Sequence, residues 1–570
     1  MNQQDTRFFG HPLGLAFLFF TELWERFSYY GMRAILVLYI YSSIDDGGLG
    51  WTQKSALALY GWYTMLVYLM SIPGGYVADK YLGQKRTVML GGILLCIGHG
   101  ILAVDALWAF YAGLAFIVMG VGGLKPNIST MVGGLYTEGD PRRDKGFTIF
   151  YIGINVGAFI ASIIVGYVGE TIGWHYGFGL AGIGMLLGQI VFVYGQRYLV
   201  GVGDYTPAPK IEGTNRNAPL TKVEKDRTVV LLISFLIVIV FWGAFEQAGG
   251  LMNIYAKEKV DRVFFGLFEI PASVFQSVNA FFIITFGTIV AAYWDRRRRK
   301  GGEVSSLYKM AIGTIVMGLG FLMMAFASIE ASAEPFGRAG MYWLILAYWL
   351  HTLGELSASP VALSFITKLA PLKVASLMMG VYFAMTGFGN KVAGWIGEAA
   401  QIDPIEIVYT GNAELLQEFE EAAQAISEDK GFSFRAKLYP QTDGSWILET
   451  YEDGKPLQQL FALSGNAETV AKDEAYIKKA LQDGKATQEK PYHATLRFNK
   501  DVEARKIKAN KGDGKDYSGT LVIEEVQNRA ELYTFLFITV FTVLFGIILI
   551  AFLKPLKALT HGAENDKHEE

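Results

Sequence analysis

Residues 22 to 33 read Glu-Leu-Trp-Glu-Arg-Phe-Ser-Tyr-Tyr-Gly-Met-Arg and lie inside the first long apolar run of the chain. Glu22, Glu25, Arg26 and Arg33 put four formal charges where lipid would otherwise be. A charge at mid-bilayer costs roughly 2.5–3.5 kcal/mol on insertion scales, so four of them against acyl chains would cost on the order of 10 kcal/mol. They must face a polar interior. On a helix, positions 22, 25, 26, 29, 30 and 33 share one face, which gathers two carboxylates, two guanidinium groups and the phenols of Tyr29 and Tyr30 into a stripe. Such a stripe lines a cavity, and its chemistry is the holding of charged solutes and the exchange of protons.

The elements that carry this stripe follow from the composition. Of 570 residues, 52% are hydrophobic and 14% aromatic, and apolar runs long enough to span a bilayer, about 20 residues, recur along the chain. They fall near 12–41, 52–79, 86–104, 107–133, 147–171, 176–198, 228–256, 273–294, 306–329, 341–369, 375–400 and 530–553. The fold predicted is an all-α polytopic membrane protein with twelve transmembrane helices. Lys80, Lys85 and Arg86, then Arg142, Arg143 and Lys145, then Lys222, Lys225 and Arg227, then Arg296 to Lys300 follow the even-numbered segments. The positive-inside rule puts those loops and both termini in the cytoplasm. The net charge of −3 says little, because the two membrane faces hold different balances. Cys96 is the one cysteine and reads as a buried small residue, with no disulfide. No cleavable signal peptide is expected, since the first segment is long and charged.

Six segments over 12–198, a polar linker over 199–227, and six more segments suggest two six-helix bundles of similar plan. Helices seven to eleven occupy 228–400, helix twelve 529–554, and a cytoplasmic tail 555–570. Echoes between the halves support the plan: Trp24-Glu25-Arg26-Phe27 against Phe245-Glu246-Gln247, Asp79-Lys80 against Asp295-Arg296, and Lys125-Pro126 against Glu355 with Pro360. Polar or broken helices in matched positions point to a solute site where the halves meet. The stretch 401–528 differs in kind, being polar and rich in both charges, and is predicted as a small extracytoplasmic α+β insert. Helical spacing runs over 413–427 and 467–481; strand-like runs cover 432–438, 445–451, 493–498 and 520–526, with a turn at Asp453-Gly454. His493 stands alone there, and no nucleophile-base pair or metal-ligand cluster accompanies it. An accessory role is expected.

In these motifs the chain resembles the proton-dependent oligopeptide transporter (POT) family, a branch of the major facilitator superfamily. The matching residues are Glu22-x-x-Glu25-Arg26-Phe27, Gly74-Gly75-Tyr-Val-Ala-Asp79-Lys80-Tyr-Leu-Gly83, and Phe147-Thr-Ile-Phe-Tyr-Ile-Gly-Ile-Asn155-Val-Gly157. With them stand Lys125-Pro126-Asn127, Phe241-Trp242, Phe245-Glu246-Gln247, Gln276-Ser-Val-Asn279 and Gly354-Glu355. Only the 401–528 insert falls outside the resemblance. It implies a major facilitator fold working by alternating access, and a proton-coupled symporter of di- and tripeptides in a bacterial inner membrane.

A short peptide is a zwitterion, and stripping its water demands a cationic pocket for the carboxylate and an anionic one for the ammonium. The resemblance assigns the carboxylate to Arg26, Arg33, Tyr30, Lys125 and Asn155, and the amino group to Glu355 with Asn279. Tyr29, Tyr68, Trp242 and Glu246 would form the pocket walls. Coupling would rest on Glu22, Glu25, Arg26 and Lys125, since protonating a carboxylate frees a cation to hold the solute. Gly75, Asp79, Lys80, Lys85 and Arg86 match the loop motif that governs conformational switching. No cofactor is expected: a proton gradient is the energy source, and no phosphate-binding Gly-x-x-x-x-Gly-Lys motif occurs. Partners expected are peptides, protons and the lipid bilayer, with no nucleic acid, and a monomer would suffice. The resemblance departs in two places. Helix two has no histidine, so coupling should use carboxylates, with His351 a second candidate four residues before Glu355; and the linker is too short for two additional helices. Competing readings are a transporter of nitrate or another small anion, and a peptide-sensing receptor with little net transport.

Overall fold

The computed structural model describes residues 6–44, 46–137, 140, 142–205, 220–333, 337–371, 375–401, 405–411, 432–440, 446–450, 487, 491–498, 517–524 and 530–563. The apolar runs become helices: α1 (Leu13–Tyr41), α2 (Gln53–Leu82), α3 (Gln84–Leu102), α4 (Leu107–Gly134), α5 (Arg143–Thr171) and α6 (Trp174–Tyr198). After the linker come α7 (Lys222–Lys259), α8 (Ala272–Arg299), α9 (Ser306–Ala331), α10 (Met341–Leu369), α11 (Ala375–Ala400), α12 (Ala530–Ala551) and a short α13 (Leu553–Leu559). Among the described residues, nine helices, α2 to α9 and α12, are long and apolar enough to cross a membrane. Helix α1 is 29 residues long, but its charged stripe interrupts the apolar surface.

The expected boundaries shift where capping chemistry competes with hydropathy. Helix α7 starts at Lys222, inside the predicted linker, because Thr221 accepts from the Glu224 amide while Glu224 bonds back to the Thr221 N–H. Part of the predicted tail is likewise helical, as α13. Helix α2 ends in a π-helical turn, Ala78–Leu82, and Gly83, at φ 76°, turns the chain into α3.

Two kinds of helix interruption matter for the site. Helix α7 breaks into a 3₁₀ turn at Glu246–Ala248, followed by Gly249 and Gly250, before the helix resumes at Leu251. Helices α4 and α10 instead run through Pro126 and Pro360. Proline offers no N–H to the carbonyl four residues back, so Gly122 and Leu356 lose that partner.

Helices α1 to α6 pack on one another, as do α7 to α12, and the two groups also meet along α2 with α11 and along α5 with α8. Glycine makes the first of these meetings close: a Cβ on Gly61 would sit 2.9 Å from the Gly394 Cα. The helices share two ends: a termini end, where α1 begins and α12 finishes, and a far end, where α1 turns into α2.

A second compact unit comprises 332–337 and 402–529. Its described part is a five-stranded antiparallel sheet: β1 (Ile405–Gly411), β2 (Phe432–Pro440), β3 (Trp446–Thr450), β4 (Tyr492–Phe498) and β5 (Tyr517–Glu524), in the order β1-β5-β4-β2-β3. Its register sets Phe434 opposite Leu496 and Leu496 opposite Leu521. Four strands coincide with strand-like runs in the sequence. Strand β1 is not among them. The helices expected over 413–427 and 467–481, and the turn at Asp453-Gly454, lie outside the described residues.

Candidate solute site

Helix α1 supplies the first group. Glu22, Glu25 and Arg26 are almost fully buried, with exposures of 1%, 0% and 4%. The Arg26 Nε donates to Glu22 Oε1 at 2.7 Å and lies 2.8 Å from Glu25 Oε2. Glu25 accepts no well-aligned hydrogen bond from the described residues, which leaves a buried carboxylate held by charge alone. Helix α5 can approach only because Gly157 lacks a side chain; a Cβ there would press on the Leu23 carbonyl oxygen and come within 3.1 Å of the Arg26 Cβ. From α4, Lys125 Nζ sits 3.8 Å above the Tyr68 ring and interacts electrostatically with Arg26, Tyr30, Glu25 and Glu22.

The opposite pole is on α8 and α10. Asn279 Nδ2 donates to Glu355 Oε2 and to Thr352 Oγ1, both at 3.0 Å, which orients the carboxylate and ties the two helices. Glu355 is within electrostatic reach of Tyr151 on α5 and of Arg33. A carboxylate of the second group of helices therefore lies within electrostatic reach of one guanidinium and of the phenols of Tyr151 and Tyr68 of the first.

Arg33 departs from its expected role. Its Nη1 is 2.8 Å from Glu246 Oε1, and the same oxygen accepts from Tyr60 OH at 2.6 Å. The 3₁₀ break in α7 turns Glu246 toward α1, so Arg33 and Glu246 pair with each other. In this conformation Arg33 offers no free charge to a solute carboxylate, and Glu246 is an ion-pair partner instead of a plain wall. Arg33 also packs over the Tyr30 ring at 5.1 Å.

Among the remaining candidates, Asn155 Nδ2 donates to the Tyr151 carbonyl one turn back, so the amide is engaged within its own helix. Tyr29 is buried edge-on to Tyr30. Trp242 packs against Phe245 with ring centres 5.2 Å apart and against Gly389 of α11. His351 lies 4.5 Å from the Phe321 ring and against Gly320, which places it on the α9 side of α10.

The loop-motif residues gather at the termini end. Gly75 has open space around it, and Asp79, Lys80 and Arg86 are exposed. Lys80 donates to Tyr76 OH at 2.7 Å. Lys85 pairs with Asp204 at 2.8 Å while its own N–H donates to the Gly203 carbonyl, fastening the segment after α6 to the first turn of α3. That hydrogen bond holds the Asp204 carboxyl below its ordinary range.

Sequence reasoning missed Tyr60, Tyr151, Thr352 and Lys391. Tyr60 stands eight residues before Tyr68 and so shares its face of α2, a periodicity that was available. Lys391 is 2% exposed inside the apolar run of α11; its Nζ lies 4.8 Å from the Trp62 ring and 3.4 Å from Glu398. The rule that flagged α1 applies to it equally. Among the described residues, no three His, Cys, Asp or Glu side chains are grouped to hold a metal ion.

Comparison with known proteins identifies the family of the chain. The model of the POT family matches residues 85–203 and 208–406. A peptide transporter of Yersinia enterocolitica subsp. palearctica, YePEPT, is 35% identical over 464 residues, spanning 71% of this chain and 91% of that protein. A di-/tripeptide transporter of Lactococcus lactis subsp. lactis is 36% identical over 465 residues, with 71% and 92% covered. Among solved structures, a peptide transporter POT in complex with sulfate superposes with a TM-score of 0.64 at 35% identity, over 69% of this chain and 89% of that one. A POT family transporter in complex with 5-aminolevulinic acid gives 0.64 at 32% identity, over 69% and 91%. The chain spans about nine-tenths of these relatives, and it belongs to the POT family of membrane transporters, within the major facilitator superfamily.

Proposed function

We propose that this chain is a proton-coupled symporter that imports di- and tripeptides across a bacterial inner membrane, with twelve membrane crossings, both termini cytoplasmic and the 402–529 unit outside. The observation that carries the reading is the bipolar set of buried groups: Lys125 and the Glu22–Arg26–Glu25 cluster on one side, Glu355 held by Asn279 on the other. A lone anion has no ammonium to match Glu355, and desolvating two negative groups together is costly. A zwitterion satisfies both poles. The names of the relatives, peptide transporter and di-/tripeptide transporter, point the same way.

Coupling follows from the cluster. With Glu22 and Glu25 ionised, Arg26 is neutralised by carboxylates; a proton taken up there releases positive charge toward the solute. Binding and protonation then favour each other reciprocally. One charge moving through 100 mV gains about 2.3 kcal/mol, enough to concentrate a neutral peptide about fiftyfold. Alternating access would open the chamber at one end and then the other, and the Arg33–Glu246–Tyr60 contact belongs to the state closed at the far end.

Purified protein in liposomes under an imposed pH gradient tests this. Labelled dipeptide should accumulate, and collapse on addition of a proton ionophore. Binding without accumulation would identify a receptor, and accumulation of nitrate in place of dipeptide an anion carrier.

A further inference from the structure

Glu170 lies in the last turn of α5, at the far end and apart from the chamber groups of α1, α4 and α10. Its carboxylate reaches across to the first turn of α8. Oε1 accepts from the Ser273 N–H at 2.7 Å and from Ser273 Oγ at 2.5 Å, and Oε2 accepts from the Ala272 N–H at 3.2 Å. Ala272 and Ser273 are the first residues of α8 and are buried, at 1% and 0% exposure. The opening amides of a helix have no partner within it, and the helix dipole makes that end favourable for negative charge. Here the capping anion comes from the other group of helices.

The approach is built for contact. Gly166, one turn before Glu170, faces the same serine: a Cβ there would lie 2.5 Å from Ser273 Oγ and 3.2 Å from its Cβ. Six residues after Ser273 on α8 comes Asn279, which holds Glu355. The cap therefore sits at one end of the helix whose other contacts orient the anionic pole.

We propose that Glu170 is a latch and positioning residue. It holds the far end shut by capping α8 across the two halves, and must let go each time the chamber opens there. The inference rests on the alternating-access reading of the proposed function. Loss of three hydrogen bonds that exist only in the closed state shifts the equilibrium toward far-end opening, because each favours one state alone.

The test uses full-length protein with Cys96 replaced by alanine and spin labels at Ile172→Cys and Leu267→Cys, both exposed at the far end. Pulsed electron resonance in liposomes should show a short distance dominant in the parent. Glu170→Ala should raise the long-distance population by about tenfold or more relative to the short one, since one charge-assisted hydrogen bond alone is worth about that and three are lost. Ser273→Ala, which removes only the hydroxyl donor, should shift it the same way by less, and Glu170→Asp should restore part of the closed state. Distance distributions unchanged in Glu170→Ala, or in Ser273→Ala where the first variant fails to insert, would overturn the latch. A parent that shows two distances but accumulates no peptide would remove the proposed substrate and leave the latch standing.

Discussion

Arg33 and Glu246 are 213 residues apart in the chain and 2.8 Å apart in space. One sits on the charged stripe of α1, the other in the 3₁₀ break of α7, and Tyr60 of α2 completes the contact through the same carboxylate oxygen. Breaking one side of an ion pair this deep leaves an uncompensated buried charge. Tyr60→Phe removes a single donor and keeps the ion pair. It should reduce the transport rate about threefold to tenfold, with peptide specificity unchanged, as judged by initial rates across several dipeptides. An altered ranking of peptides would place Tyr60 in the solute pocket instead.

Glu22 receives the Arg26 Nε hydrogen bond. Glu22→Gln keeps an acceptor of the same shape but cannot exchange a proton at neutral pH. Gradient-driven accumulation should be lost, while exchange of labelled for unlabelled peptide persists at a tenth or more of the parent rate. Parent-level accumulation by the variant would exclude Glu22 from coupling.

The anionic pole makes a separable claim. Glu355→Ala should weaken binding of peptides with a free amino group by about tenfold or more, the order of one lost charge-assisted pair. N-acetylated peptides should change little. Competition assays with matched acetylated and free peptides read the difference, and equal losses would count against ammonium recognition.

Much of this architecture was legible in the chain. Hydropathy located the helices within a few residues, because a bilayer leaves few alternatives to a continuous hydrogen-bonded helix. The α1 stripe was legible for the same reason, since charge inside an apolar run demands a polar neighbour. Arg33 was not. Whether a guanidinium points at solute or pairs with a distant carboxylate depends on the break in α7, and a 3₁₀ turn at Glu246-Gln247-Ala248 leaves no periodic signal. Glu170 escaped for a related reason: it closes the register of the α5 helix like any polar terminal residue, and only the fold brings Ser273 beneath it. Strand β1, Ile405–Gly411, closely follows the apolar run of α11, and its alternation of Ile405, Ile407 and Tyr409 merges with that run in the sequence.

Glu303, in the loop between α8 and α9, sits apart from the chamber. Burial raises its carboxyl, but hydrogen bonds from Lys557 and Ser305 outweigh this and hold it at about 2. A depressed carboxyl lends its stabilisation fully above its ordinary value, near 4.5, and loses it as pH falls through about 2. Between pH 5 and 8 the pair is therefore constant. Glu303→Gln should lower thermal stability only slightly, by about 1 kcal/mol or less for a partly exposed pair, and should leave the pH profile of transport unmoved. A shifted profile would assign this loop a part in coupling.

The second unit provides the last test. Replacing 403–527 by a short Gly-Ser linker should leave uptake within about fivefold of the parent in vesicles containing equal amounts of inserted protein. Complete loss despite correct insertion would make the unit part of the transport machinery.

Pro126 follows Lys125 directly, and Pro360 comes five residues after Glu355. Each proline stands just on the termini side of a chamber residue and deprives the carbonyl one turn back of its usual donor, so the backbone there is softened without any further bond being broken. The last turns of α4 and α10 are thereby joined to the preceding stems through one fewer backbone hydrogen bond. Under the alternating access proposed above, these are the points at which the segments beyond Lys125 and Glu355 would bend while the two charged groups keep their spacing, which would separate the geometry of recognition from the geometry of passage.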